Sequence, residues 1–442
     1  MFVNQNGLVN RSRGQFSQRR FLRRTCPLLL MACVLVRWCV VFANPDTNIS
    51  GTFAADTTLG PTSSNFTPDT VYIVTGNITV NAGVTLTIQP GVTLKFNGGT
   101  QLLANGVLNA QGTSGQRITF TSNQVTGSPG FWSTVFLNGA PSNGSTLSNC
   151  DIRFAVTGMR FSSSSGSMTD STVTNCSSDG VLIEQASANP TLTNVTVSHN
   201  NSVGVDITAN GQGTLNGCTI QNNRFSGVYA FSSQSEAPTI QNSNISSNNI
   251  TGNSSGHGGI VVGRLASVTG NTIASNNFDG VRVENGVDIP TIQNNIIQNN
   301  TQYPITFAAN PLVNAGTKIT GNTFTGNTPN TQVEMRGGSL TVSTQWVTTV
   351  NGLGVDINGA YSVATGVTLT ISPGQTLFFG ASGSMNGNAG VISAVGNGGR
   401  IKFTRRAATG NWGGVQLFGS GTNASAFKIG RASCRERVYV LV

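Results

Sequence analysis

The residues in this 442-residue chain whose types and spacing could do chemistry come from short apolar-x-apolar triplets that follow a glycine. In a strand with one buried face, the middle residue of such a triplet points outward. Taken in order, those middle residues are Leu182, Asp206, Tyr229, Val261, Arg282 and Thr306. Glu184 and Glu284 follow two residues on, and Asp179 and Asp279 stand just before the glycine. Such a strip could bind a sugar with Tyr229 as the stacking platform, or it could move a proton. If the triplets stack at about 4.8 Å, Asp206 and Arg282 are three steps, about 14 Å, apart, too far for one direct catalytic contact. A solvated sheet surface accounts for the same residues. On the binding reading, the residues to watch are Asp206, Tyr229, Arg282, Glu284, Glu184 and Asp279.

Other chemistry is sparse. His199 has no His, Cys or acidic neighbour at metal-ligand spacing and reads as a turn residue. Away from the ends, only Cys150, Cys176 and Cys218 remain, with no Cys-x-x-Cys pair, which predicts buried, inert thiols. Calcium takes six to eight oxygen ligands, and the acids are too scattered to gather them. No cofactor or metal is expected, and Ca²⁺ finds no support.

The elements that position these residues repeat. Seven aliphatic anchors (Met168, Leu192, Leu215, Ile240, Val268, Ile292, Ile319) recur at steps of 24, 23, 25, 28, 24 and 27 residues. Between them lie runs of three to five residues with period-two alternation, separated by Gly, Asn and Pro turns. Three short strands per period of about 24 predict an all-β solenoid whose coils stack as parallel strands. Eight residues after six of the anchors stand Asn200, Asn223, Asn248, Asn276, Asn300 and Asn327, with Cys176 the exception. Stacked amides predict a structural Asn ladder along the axis. Gly158, Gly180, Gly204, Gly227, Gly259 and Gly280 mark a turn that needs a positive φ or a close backbone approach.

The net charge of +9 sits at the ends: residues 1–43 hold seven Arg and no acid, and 429–442 hold three Arg and one Glu. The region between is formally neutral, so no nucleic-acid partner is expected. Residues 1–43 read as a signal peptide cleaved after Ala43, and 44–71 as a linker or loosely attached N-terminal cap. Residues 72–330 read as one module. At an offset of 283 residues, Gly366 to Phe379 repeats Gly83 to Phe96, and Arg400 to Thr404 repeats Arg117 to Thr121. Trp412 repeats Trp132 at 280, so 345–428 reads as the start of a second, truncated module. Residues 429–442 resemble a translated sequencing adapter and are expected to be non-native.

Gly83-Val-Thr-Leu-Thr-Ile-Gln-Pro-Gly-Val-Thr-Leu-Lys-Phe96, followed by Asn105-Gly-Val-Leu-Asn-Ala-Gln-Gly112, resembles the opening coils of secreted bacterial right-handed parallel β-helix proteins of the pectate-lyase-like fold. The resemblance covers residues 72–428 and implies right-handed winding, in line with the general preference of parallel crossovers. It also directs attention to polysaccharide chemistry. Gly256-His257-Gly258 and Arg400-Ile401-Lys402 are similar to two pieces of the polygalacturonases, but the Asn-Thr-Asp and Asp-Asp pieces that would supply acid and base are missing. The expectation is a secreted or cell-surface module with a structural, adhesive or carbohydrate-binding role, partnered by a polysaccharide or cell-surface glycan, without a recognisable catalytic set. The alternative is a polysaccharide lyase, epimerase or hydrolase. Contact with a membrane is expected only through the leader or a missing C-terminal anchor.

Overall fold

The structure, a computed structural model, describes residues 46–62, 70–232, 235–252, 258–284, 289–308, 315–329, 332–346, 354–396, 399–406, 412–418 and 425–428. The signal-peptide and adapter-like segments, and His257, lie outside the described residues. The chain winds as a right-handed solenoid of short parallel strands, about 24 residues per turn, with three faces per coil. Within one coil, Thr172–Thr174 lies on face 1, Val181–Glu184 on face 2 and Thr191–Thr193 on face 3.

The anchors fix the register of face 3. Met168 pairs with Leu192, then Leu215, Ile240, Val268, Ile292 and Ile319 follow in one unbroken file. All seven are fully buried. Each inward side chain therefore lies on its counterpart about 4.8 Å away, and the solenoid core is a stack of like on like.

Corners between faces 1 and 2 carry the asparagine ladder. Asn200 donates its side-chain amide to Asn223 Oδ1 at 3.0 Å, and the chain of bonds continues through Asn248, Asn276 and Asn300 to Asn327. Each receiving oxygen also takes a backbone N–H from the coil before, so Cys176, which has no amide, still joins through its own N–H to Asn200 at 3.0 Å. A second, shorter ladder runs Asn271, Asn295, Asn322 at the corner between faces 3 and 1.

At the glycine column, close approach decides, not backbone sign. None of these six glycines has a positive φ, but a Cβ on Gly204 would lie 2.5 Å from the Gly227 carbonyl oxygen, and one on Gly158 2.6 Å from that of Gly180. Left-handed φ falls instead on the residue before the ladder, at Asn175, His199, Asn222, Ser247, Ser275 and Asn299. His199 is thereby a turn residue.

Two expectations about boundaries change. Thr47–Phe53 and Thr57–Leu59, expected as linker or loose cap, are strands paired in parallel with Val71–Val80 and Thr85–Ile88. Their Thr/Ser/Gly-rich sequence hid the inward Ile49, Phe53 and Leu59, which are buried. The second module is not a separate body on every side. Face 2 continues unbroken from Ile305–Phe307 through Gln332–Met335 to Gly354–Ile357, whereas the other two faces restart as new four-stranded sheets at Gly338–Leu340 and Thr344–Trp346.

The copies also meet out of phase. In the first, the start of Val71–Val80 and the strands Thr93–Phe96 and Ile118–Ser122 lie on face 1. Their counterparts 283 residues on, Gly354–Ile357, Thr376–Phe379 and Lys402–Arg405, extend face 2. Inside each copy the packing is conserved: Phe96 stacks on Trp132 at 4.1 Å between ring centres, and Phe379 on Trp412 at 4.2 Å.

Candidate functional site

The outward file of face 2 forms as expected from the triplets. Leu182, Asp206, Tyr229, Val261, Arg282 and Thr306 pair in register, each with the next. The file extends at both ends, with Phe136 and Arg160 below and Glu334, Asp356 and Phe378 above. The inward neighbours of each file member, such as Val205 and Ile207 around Asp206, are buried apolar side chains that lock the strand in place.

This file is not an open solvated surface. Val261, Thr306, Glu334 and Asp356 are all at most 2% exposed. Long side chains stand beside the short ones, Tyr229 and Arg282 on either side of Val261, at the cross-strand spacing where neighbours touch.

Among the described residues, no cation balances Asp206. Burial, followed by the carboxylates of Asp179 and Glu236, pushes its carboxyl up to about 7. Its Oδ1 is buried and has no hydrogen-bond partner. Asp179 is held by the Val203 N–H at 3.1 Å, and buried Glu236 accepts from the Ser232 hydroxyl at 2.8 Å. In the next coil, Tyr229 is half-buried, its phenol raised by burial, Glu284, Asp206 and Glu236 and lowered by Arg282. Arg282 pairs with Glu284 through Nε, leaving Nη1 buried without a hydrogen-bond partner.

Of the six residues singled out in the sequence, Asp206, Tyr229, Arg282 and Glu284 come together on face 2. Glu184 does not join them. It pairs with Arg160 at 2.6 Å, whose guanidinium covers the Phe136 ring at 4.3 Å. Asp279, expected on the outward face, is fully buried. Desolvation pushes its carboxyl up to about 7 against the pull of Arg336, which lies 3.4 Å away and over the Phe278 ring at 5.3 Å.

Sequence reasoning missed the ionic network beyond Thr306. Arg336 Nε donates to Glu334 at 2.6 Å, and the Thr306 hydroxyl and Asn358 amide donate to the same carboxylate at 3.1 and 2.9 Å. Farther along, the Tyr303 hydroxyl donates to Asp356, and Arg406 Nη1 donates to both that hydroxyl and, at 3.0 Å, Asp356 Oδ2. The available signal was Glu334 and Asp356 as middle residues of the triplets Val333-Glu-Met335 and Val355-Asp-Ile357. No group of three or more potential metal ligands occurs among the described residues.

Two family profiles match: "Right handed beta helix region" over residues 133–288 and 188–351, and "Pectate-lyase like beta helix domain" over 60–171. The chain is a right-handed parallel β-helix repeat protein. No curated protein matches its sequence. Among solved structures, this β-helix aligns with pectate lyase Pel9A at 13% identity and TM-score 0.28, covering 80% of this chain and 74% of that one. It aligns with the A-module of the Azotobacter vinelandii mannuronan C-5 epimerase AlgE6 at 12% and 0.30, covering 85% and 91%. The catalytic unit of a GH87 α-1,3-glucanase from Streptomyces thermodiastaticus strain HF3-3 aligns at 15% and 0.29, covering 78% and 66%. Similarity at this level carries no argument about chemistry.

Proposed function

We propose that this β-helix works outside the cell and binds a polysaccharide along face 2, at the strip formed by Asp206, Tyr229, Arg282 and Glu284. One observation carries the reading. The half-buried Tyr229 ring lies in one file with two polar groups, Asp206 Oδ1 and Arg282 Nη1, that are buried with no hydrogen-bond partner. Buried polar atoms cost free energy unless paired, and a sugar's hydroxyls can both donate and accept. An aromatic ring beside them offers an apolar face for a pyranose. The formally neutral shaft brings no electrostatic attraction for nucleic acid.

Binding of the full chain to a glycan array tests this, with Tyr229→Ala and Arg282→Ala as variants. Loss of binding in both supports the strip. Retention in both, with binding intact, places any glycan contact elsewhere.

A second reading, catalysis on a polysaccharide, is favoured by one feature. A carboxyl pushed up to about 7 is still partly protonated at neutral pH, the state a general acid needs. A screen on uronate and neutral glycans, following unsaturated or reducing-end products, separates the readings. Turnover abolished by Asp206→Asn would replace binding with catalysis.

A further inference from the structure

Two copies of one sequence have an obvious way to stack, each strand continuing the face its counterpart occupies, because like side chains then meet as they do elsewhere in the solenoid. This β-helix does otherwise, and the second copy's face-1 strands continue face 2. Sheet pairing alone does not choose between the two arrangements. The backbone ladder is the same on every face, and although face 1 reads polar-apolar-polar at Thr323–Thr325, the same face reads apolar-x-apolar at Thr93–Phe96 and Ile118–Ser122, so it accepts either pattern.

The choice is legible where the copies differ. Asp356 stands where the first copy has Ile73, and Arg406 where it has Asn123. Both meet Tyr303, which enters face 2 two coils below Asp356 and donates its hydroxyl to that carboxylate. Arg406 closes the set from two coils above. Beside it, Arg336 reaches back across the same junction to Asp279 while holding Glu334. On face 1 the file below Asp356 would end in Gln298 and Thr325, with Tyr303 and Thr306 left on another side. Buried Asp356 would then lose the partners that compensate its charge.

We propose that Tyr303, Asp356 and Arg406, backed by Asp279, Glu334 and Arg336, set the phase between the two copies and latch the one face that runs through the junction. The reading is independent of any glycan bound at Tyr229. The network specifies an arrangement more than it adds stability, as buried polar groups do when they fix a register.

The test returns the first copy's residues in the full chain, Asp356→Ile with Arg406→Asn, and follows hydrogen exchange by mass spectrometry. Expected is at least tenfold faster exchange in Gly354–Ile357, Thr376–Phe379 and Lys402–Arg405, with Thr196–Ser198 and Thr219–Gln221 unchanged. Spin labels at Thr325→Cys and Thr376→Cys read the phase itself, and their distance should shift or broaden in the same variant. Tyr303→Phe, which removes only a hydroxyl, should raise exchange in the same three strands by a smaller factor. Wild-type exchange and an unchanged label distance in the double variant would overturn the proposal. So would Tyr303→Phe with wild-type exchange, should the double variant not fold.

Discussion

Asn223 gives Asn248 two hydrogen bonds: its side-chain amide donates to Asn248 Oδ1 at 3.0 Å, and its backbone N–H to the same oxygen at 3.2 Å. Asn248 in turn donates to Asn276 at 3.1 Å and to the Ile220 carbonyl at 2.9 Å. Its side chain thus serves four groups with no water at hand, since it is fully buried.

Asn248→Ala strips these partners at once. An unsatisfied buried polar group costs about 1–3 kcal/mol, and several are created here. The expected loss is about 3 kcal/mol or more, measured from urea unfolding, with exposed Asn81→Ala as the control near zero. A loss below about 1 kcal/mol would mean that the ladder follows the fold and does not hold it.

Gly204→Ala probes the other stacked column. The added methyl carbon would sit 2.5 Å from the Gly227 carbonyl oxygen and 2.6 Å from Ile220 Cγ2, both inside the coil above. Neither neighbour can swing away, because one is backbone and the other fully buried. Overpacking of this kind costs about 1–3 kcal/mol. Gly83→Ala is the informative contrast: nothing lies within 4 Å of its Cβ, but its φ of +79 strains the backbone. A clash-driven cost should fall in part when Ile220 is cut back to Ala, which removes Cγ2, and a strain-driven one should not.

These two columns show why the winding was readable from sequence. Anchors, Asn and Gly recur in one order with each coil, so their spacing states the period directly, and parallel stacking needs no further information. The phase between copies was not readable, because Thr376–Phe379 alternates as Thr93–Phe96 does, yet the first lies on face 2 and the second on face 1. The triplet rule found Asp206, Tyr229 and Arg282 but took outward to mean wet. It failed at Thr306 and Asp279, where neighbours in the file and the distant Arg336 close over the sheet. Contacts such as Tyr303 with Arg406 join positions 103 apart, beyond the reach of any local pattern.

Asp206 makes stability fall with rising pH. Its folded carboxyl lies near 7, above the ordinary 3.8, so the folded state holds a proton that the unfolded state has already released in between. Stability contributed by this group is full below about pH 4 and is lost as pH rises through 7. Asp206→Asn, which cannot ionise, should raise stability by more at pH 8 than at pH 5. Chemical denaturation at the two pH values measures the difference. An asparagine variant whose loss or gain is the same at both would show that Asp206 is ionised throughout.

The three described cysteines should be silent toward alkylation. Cys150 and Cys176 are fully buried and their thiols are pushed up to about 12, chiefly by desolvation, and Cys218 is raised for the same reason. Thiolate is the reactive form, so at pH 8 these groups are both inaccessible and protonated. Each sulfur is also turned toward a carbonyl, Cys150 to Ala110 at 3.3 Å and Cys218 to Leu192 at 3.4 Å. Iodoacetamide on the native protein, mapped by mass spectrometry, should leave all three unmodified, and all three should label in 6 M guanidinium. Because a coil must open before its thiol can react, slow native labelling at one site would report local opening there. Labelling at Cys218 alone, within minutes, would contradict the stacked core that its Ser243 partner, at 3.0 Å from its backbone N–H, helps to close.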